Sequence, residues 1–283
     1  LAGLALLLGF SAGRQVLAAN QFRQEWALHT RIFHELAWNI PALEPGTTIL
    51  SADFPLELYS DNTNTSELNL LVWLNNPQAQ YDHAFFYLRE MVLRGVVPDF
   101  AEGRPYRRSL MSATYTGDTG QAVVFTYRPG ACLRLLDAEL DALNPLLPEL
   151  TRQAAALSRP ELILPSGQGN RLALPALYGA PPAADWCAFS AWAGQALRRG
   201  DAPAAAEYAD QALALAPLEE KDVMLAAPFV EAYLRVGRET DAQNLAQAML
   251  AVEPGVNAPL CALWARNSAE IPPFLTCSAP KTP

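Results

Sequence analysis

Few side chains in this sequence combine reactive chemistry with useful spacing. Asp53, Glu57 and Asp61 come closest. They follow Thr47–Ala52, a β-branched run that predicts a buried strand, and ligands of α/β sheets collect beyond the carboxyl ends of strands. These three acids are the ligand-binding candidates, with solvated loop acids as the alternative for them. His29 and His34 with Glu35 invite a metal, but five residues apart the histidines fall on different helix faces, whereas zinc pairs on helices stand four apart. Tyr81-Asp82-His83 sets an acid beside a base. Neighbours on a helix diverge, so Asp82 reads as the N-cap of a following helix. Gly167-Gln168-Gly169 lacks the third glycine of a dinucleotide cradle, and Ser166-Gly167 has no partner base or Gly-x-Ser-x-Gly elbow. Arg104, Arg107 and Arg108 suit anionic headgroups or a phosphate, or a surface patch of salt bridges. No catalytic residue, cofactor or metal site is assigned.

The elements that would hold these residues begin with an apolar end. Leu1–Phe10 has no polar side chain, and Ser11–Gly13 extends the run weakly to Arg14. Crossing a bilayer takes about 20 residues. The favoured reading is the last part of a transmembrane helix that starts outside the sequence, which opens on Leu rather than Met. A shortened secretory leader with Val16-Leu17-Ala18 as its cleavage site is the second reading, and Arg14 speaks against it. A buried core helix is the third, and the lack of a polar face speaks against that. From Ser11 to Asn39 an amphipathic helix continues, ended by Pro41 and Pro45-Gly46. Its Phe22, Trp26, Phe33 and Trp38 fit a bilayer interface or a core equally.

The composition is that of a compact fold: 17% of the 283 residues are charged and 51% are hydrophobic. A net charge of −9 without long basic clusters excludes nucleic acid as a partner. Cys132, Cys187, Cys261 and Cys277 allow three pairings and show no zinc spacing. Cys261 and Cys277 flank a short proline-containing segment and could bridge in an oxidising compartment; four buried thiols are the alternative.

After the first strand, Thr65 or Ser66 caps a helix carrying Leu68, Leu70, Leu71, Trp73 and Leu74. A second helix follows over His83–Leu93, closed by Gly95. Ser109–Tyr115 and Gln121–Tyr127 read as a hairpin through Gly117-Asp118-Thr119-Gly120, and Ala131–Leu136 adds a strand to a small antiparallel sheet. Leu140–Leu157 is helical, broken at Pro145 and Pro148. Pro160–Pro182 is a linker or wrapping loop, in which Leu162–Leu164 and Leu172–Leu174 can pair.

The C-terminal part repeats itself. Gly200, Ala205, Ala209, Leu213, Ala214 and Pro217 recur 37 residues later as Gly237, Ala242, Ala246, Leu250, Ala251 and Pro254. With the glycines in the turns, Trp192, Ala205, Ala209 and Ala212 take packing positions in the first unit and Pro217 stops it. Phe229, Tyr233, Ala242, Ala246 and Pro254 do the same in the second. Over roughly 70 residues this resembles the tetratricopeptide family, with a longer period, a charged connector (Glu219 to Asp222) and some small residues for large ones. Generic helical hairpins are the alternative. Asn257–Arg266 would cap the stack.

Further phrases carry a wider resemblance: Trp38-Asn39-Ile40-Pro41, Pro45-Gly46-Thr47, the Asp61-to-Trp73 segment, Tyr127-Arg128-Pro129 to Cys132-Leu133-Arg134, Trp186-Cys187 and Pro228-Phe229-Val230-Glu231-Ala232-Tyr233. They are similar to the soluble C-terminal region of polytopic membrane proteins of bacteria such as the Chloroflexota, which look distantly like lipid-linked-sugar glycosyltransferases. The catalytic acid of such enzymes lies on an early loop absent here, so the resemblance implies no catalytic residue. The expected class is α+β: residues 1–40 end a transmembrane helix and continue as a juxtamembrane helix, 41–158 form an α+β domain, 159–182 a linker, 183–270 the tetratricopeptide-like helices and 271–283 a tail. The expected role is a membrane-attached interaction domain of the bacterial envelope, on the extracytoplasmic face. Its helices would meet a protein partner or their own α+β domain. A soluble lobe of a membrane glycosyltransferase, or a secreted solute-binding module lined by Asp53–Asp61, are the alternatives.

Overall fold

The computed structural model describes residues 2–51, 60–73, 80–88, 103–110, 113–127, 131–166, 168, 170–216, 218, 222–267 and 269–277. Its class is α+β: a long N-terminal helix, small sheets with helices on them, and a C-terminal helical array.

Helix α1 (Ala2–Asn39) is continuous, and Pro41 follows its end. Its two halves live in different surroundings. Residues up to Leu28 are largely exposed, with Leu6 at 75% and Leu17 at 70%, whereas Ile32, Phe33 and Leu36 are buried. It is the one helix among the described residues long and apolar enough to cross a membrane by length and composition.

The central sheet has the order β4-β2-β7-β8, from β2 (Thr48–Ser51), β4 (Ala84–Tyr87), β7 (Ala122–Tyr127) and β8 (Leu133–Leu135). β2 pairs in parallel with both β4 and β7, and β8 closes the row antiparallel. One face (Ile49, Phe85, Val123, Phe125) packs on Ile32, Phe33 and Leu36 of α1. The other (Leu50, Phe86, Val124) packs with Ala154 and Ala155 of α3 (Glu149–Ala155). Burial on both faces removes the alternation of polar and apolar residues that marks a one-sided strand.

That loss accounts for two corrections. The first part of the helix expected over His83–Leu93 is strand β4 at Ala84–Tyr87, and Leu88 after it is helical; the Phe85-Phe86 pair carries no period of two because both side chains are buried. Residues 89–100, including Gly95, lie outside the described residues. The expected hairpin also dissolves. β6 (Ala113–Asp118) pairs with β5 (Pro105–Leu110) and, through its other edge, with β3 (Gln80–Tyr81), while β7 joins the central sheet. β6 is half-exposed and β7 wholly buried, so the Gly117–Gly120 turn passes the chain from one sheet to another. The central sheet is therefore mixed, not antiparallel. Within the expected linker, β9 (Ile163–Leu164) and β10 (Asn170–Arg171) do not pair with each other; each lies along one side of β1 (Ala42–Leu43).

The array contains α4 (Trp186–Arg198), α5 (Ala202–Leu215), α6 (Ala227–Arg235), α7 (Glu239–Val252) and α8 (Asn257–Arg266). Gly200 and Gly237 both hold a left-handed backbone, at φ 77° and 76°. Each ends its helix the same way: Gly200 and Asp201 N–H reach Leu197 and Ala196 carbonyls, and Gly237 and Arg238 reach Leu234 and Tyr233. This is a Schellman stop, in which the left-handed residue is strained for anything with a Cβ. α1 and β8 pack against α4, so the body occupies one face of the array.

Candidate functional site

The carboxyl end of β2 is where the sequence placed its ligand candidates. Asp53 and Glu57 lie outside the described residues. Asp61 opens α2 (Asp61–Trp73), four residues earlier than the expected cap, because Ser60 Oγ accepts the Thr63 N–H at 3.3 Å and serves as the N-cap.

Asp61 is buried, and its Oδ1 accepts the N–H of Tyr87 at 3.0 Å. One helical turn on, Thr65 Oγ1 donates to the Phe85 carbonyl (3.2 Å) and accepts the Phe85 N–H (2.9 Å). One turn further, Asn69 Oδ1 accepts the N–H groups of Asp82 and His83 at 2.9 and 3.1 Å, while its Nδ2 donates to the His83 carbonyl at 2.7 Å. β4 is the edge of the sheet, and an uncovered edge offers unpaired N–H and C=O groups to any passing strand. Residues 61, 65 and 69 share one helix face and meet, in turn, residues 87 and 85 of the strand and residue 83 just ahead of it. Asp82 thus donates to Asn69, and the expected helix N-cap at Asp82 is corrected: no helix starts there.

The surrounding groups are strongly desolvated. Burial pushes the His83 imidazole down to about 4 despite Asp82 beside it and a hydrogen bond with the Thr47 backbone. Tyr115, whose hydroxyl meets Thr48 Oγ1 at 2.9 Å and donates to the Gly46 carbonyl at 2.6 Å, is pushed up to about 12, chiefly by burial. Burial also raises Tyr106, whose hydroxyl lies 2.6 Å from Thr48 Oγ1. Arg108 lies over the Phe86 ring at 4.5 Å and 3.7 Å from Asp61 Oδ2. Asp61 therefore spends its carboxylate on holding the strand and one arginine. Ser51 Oγ and Asn64 Oδ1, both buried, keep no hydrogen-bond partner among the described residues.

The remaining candidates separate. His29 Nε2 meets Glu67 Oε1 at 2.5 Å, with the Tyr178 hydroxyl donating to the same oxygen. His34 Nε2 pairs with the Tyr178 carbonyl at 3.2 Å, and Glu35 accepts Leu133 N–H at 2.6 Å and Arg31 Nε at 2.7 Å. Those three side chains do not converge, and they are buried rather than solvated. Arg104 and Arg107 are exposed, while Arg108 is turned inward, as strand alternation requires. In the array, Ala205, Ala209, Ala212, Phe229, Tyr233, Ala242 and Ala246 are buried; Trp192 is half-buried between Phe189 and Tyr208. Pro254 starts a short 3-10 turn, and Pro217 lies outside the described residues.

Sequence reasoning missed that Thr65, expected as a cap, and Asn69 join Asp61 in holding the sheet edge, although three small polar residues spaced by four on a helix were the available signal. It left open the disulfides, which are Cys132–Cys187 and Cys261–Cys277. It also missed a set of arginines between body and array, whose members are scattered from residue 134 to residue 266. No family model, no curated protein and no solved structure matches this chain.

Proposed function

We propose that this chain is the membrane-attached, extracytoplasmic part of a bacterial envelope protein, acting as an accessory or interaction domain without a catalytic centre of its own. The observation that carries the reading is the division of α1. Its first half exposes Leu4, Leu6, Leu7, Leu8 and Phe10, an apolar surface out of keeping with water, and its second half is locked into the body. Two disulfides support an oxidising compartment, since such bonds persist outside the cytoplasm. The two hairpins with identical glycine stops support a tetratricopeptide-like unit. Its first partner is the chain's own body, packed on α4, which makes bracing its primary job. An outside protein partner would then meet the exposed flanks of α5 and α7.

The unbroken passage of α1 into the body favours one second reading, that of a soluble lobe on a polytopic glycosyltransferase for lipid-linked sugar, with the catalytic acid elsewhere in the polypeptide. This follows the sequence resemblance and inherits no residue here.

The test is membrane extraction of the full chain expressed in bacteria, combined with thiol labelling. Retention through alkaline carbonate, loss of retention in Leu6→Asp/Leu7→Asp, and cysteines that label only after reduction would support the proposal. Release of the wild-type chain by carbonate, or four freely labelled thiols in intact cells, would overturn it.

A further inference from the structure

A half-open cavity of about 220 Å³ lies where α4, α6 and α8 face the body. Arg134, Arg198, Arg235 and Arg266 line it. Three of them are neutralised. Arg134 Nη1 donates to both oxygens of Asp141 at 2.8 Å, and its Nε lies 3.5 Å from Asp222 Oδ2. Arg266 reaches Asp137 and Glu231, each at 2.6 Å, and Arg235 reaches Glu231 at 2.5 Å. Arg198 is different. It is exposed at the mouth of the cavity, its guanidinium meets no carboxylate among the described residues, and its Nη2 donates to the Asn39 carbonyl at 3.3 Å.

Donors are left over as well. Arg134 is buried, and its Nη2 has no hydrogen-bond partner among the described residues; the same holds for Arg266 Nε. A guanidinium carries five N–H donors in a planar fork, and leaving them unpaired away from water is costly. An oxyanion is the group that such a fork takes best, since charge-assisted pairs are short and bidentate. Leu136, Leu140, Leu197 and Met224 supply apolar wall beside the arginines. The volume admits a small molecule and not a folded segment.

We propose that this cavity binds a small oxyanion, a carboxylate or a phosphate, held by Arg198 and the spare Arg134 donor at the seam between body and array. Bound there, the anion ties α4 to β8 and the loop after it, so occupancy stiffens the joint between the two parts.

The full chain in detergent micelles is titrated calorimetrically with acetate, butyrate, succinate and inorganic phosphate, and each probe is also followed by thermal melting. Binding of one probe with Kd below about 1 mM, weakened about tenfold or more in Arg198→Gln, partly kept in Arg198→Lys and unchanged in Arg152→Gln on the surface, supports the site. A carboxylate preference names an organic acid as the source, and a phosphate preference a phosphate ester. The wild type should melt higher with the probe while Arg198→Gln, folded by circular dichroism, does not shift. Failure of every probe to bind, or equal binding by wild type and Arg198→Gln, overturns the proposal.

Discussion

Cys132 and Cys187 are joined across 55 residues, so the start of β8 and the first turn of α4 are one covalent unit. The same junction is hydrogen-bonded twice over: Asp185 caps α4 through the Cys187 and Ala188 N–H groups, and Glu35 of α1 accepts the Leu133 N–H. Loop-closure entropy assigns a closed loop of this length about 4 kcal/mol of stabilisation, and the 16-residue Cys261–Cys277 loop about 3. The double variant Cys132→Ser/Cys187→Ser should therefore melt below Cys261→Ser/Cys277→Ser, as read by calorimetric scanning. Equal melting temperatures would show that the seam is held by packing alone.

Replacing Asn69 by Leu strands the Asp82 and His83 N–H groups and the His83 carbonyl at a covered edge. Each unpaired buried group costs about 1–3 kcal/mol, so a loss of about 3 kcal/mol or more is expected in urea denaturation. Leu70→Ala, on the exposed side of α2, should stay within about 0.5 kcal/mol. A mild Asn69→Leu would mean that water or neighbouring groups replace the side chain without cost.

His83 makes stability depend on pH in a defined direction. Its folded value, about 4, lies below the ordinary 6.5, so the unfolded chain takes up the proton first as the solution is acidified. The stabilisation is complete above pH 6.5 and is lost as pH falls toward 4, to a limit of about 3 kcal/mol. His83→Gln removes this titration. The urea midpoint of the variant should fall less between pH 7 and pH 4.5 than that of the wild type, and parallel falls would refute the assignment.

Ala205 and Ala242 sit at equal distances from the two glycine stops and have no exposed surface. Leu at either position forces two helices apart, at about 1–3 kcal/mol each. Thermal melting should register both, while Glu207→Leu on the outer side of α5 leaves the transition nearly in place. Tolerance of both alanine variants would remove the packing role.

Gly200, Gly237 and the alanines between them announce the array in the sequence because a stop and a close contact each demand one residue type. The body was less legible. Phe85-Phe86 carries no period when both faces of a strand are covered, so it passed for helix. Asp61 was picked out by its place after a strand, yet its partner is a backbone N–H 26 residues away that no local pattern exposes. The arginine seam is beyond sequence reasoning for the same reason: Arg134, Arg198 and Arg266 become neighbours only when α4 and α8 close on β8. Among the four cysteines, spacing singled out Cys261 with Cys277, but the Cys132–Cys187 bridge depends on how the body docks.

The contacts of α2 with β4 also rest on a numerical coincidence of two lattices. Four residues of helix advance about 6 Å, and two residues of strand advance about 6.6 Å. Every fourth side chain of an antiparallel helix can thus address every second residue of a strand, with a mismatch of about half an ångström per step. Each step also turns the helix face by about 40°, which limits the match to a short run, here three. A one-residue slip of β4 would present the wrong peptide groups to all three side chains at once. The helix therefore acts as a gauge that accepts a single setting of a strand four residues long, a strand too short to choose its own alignment.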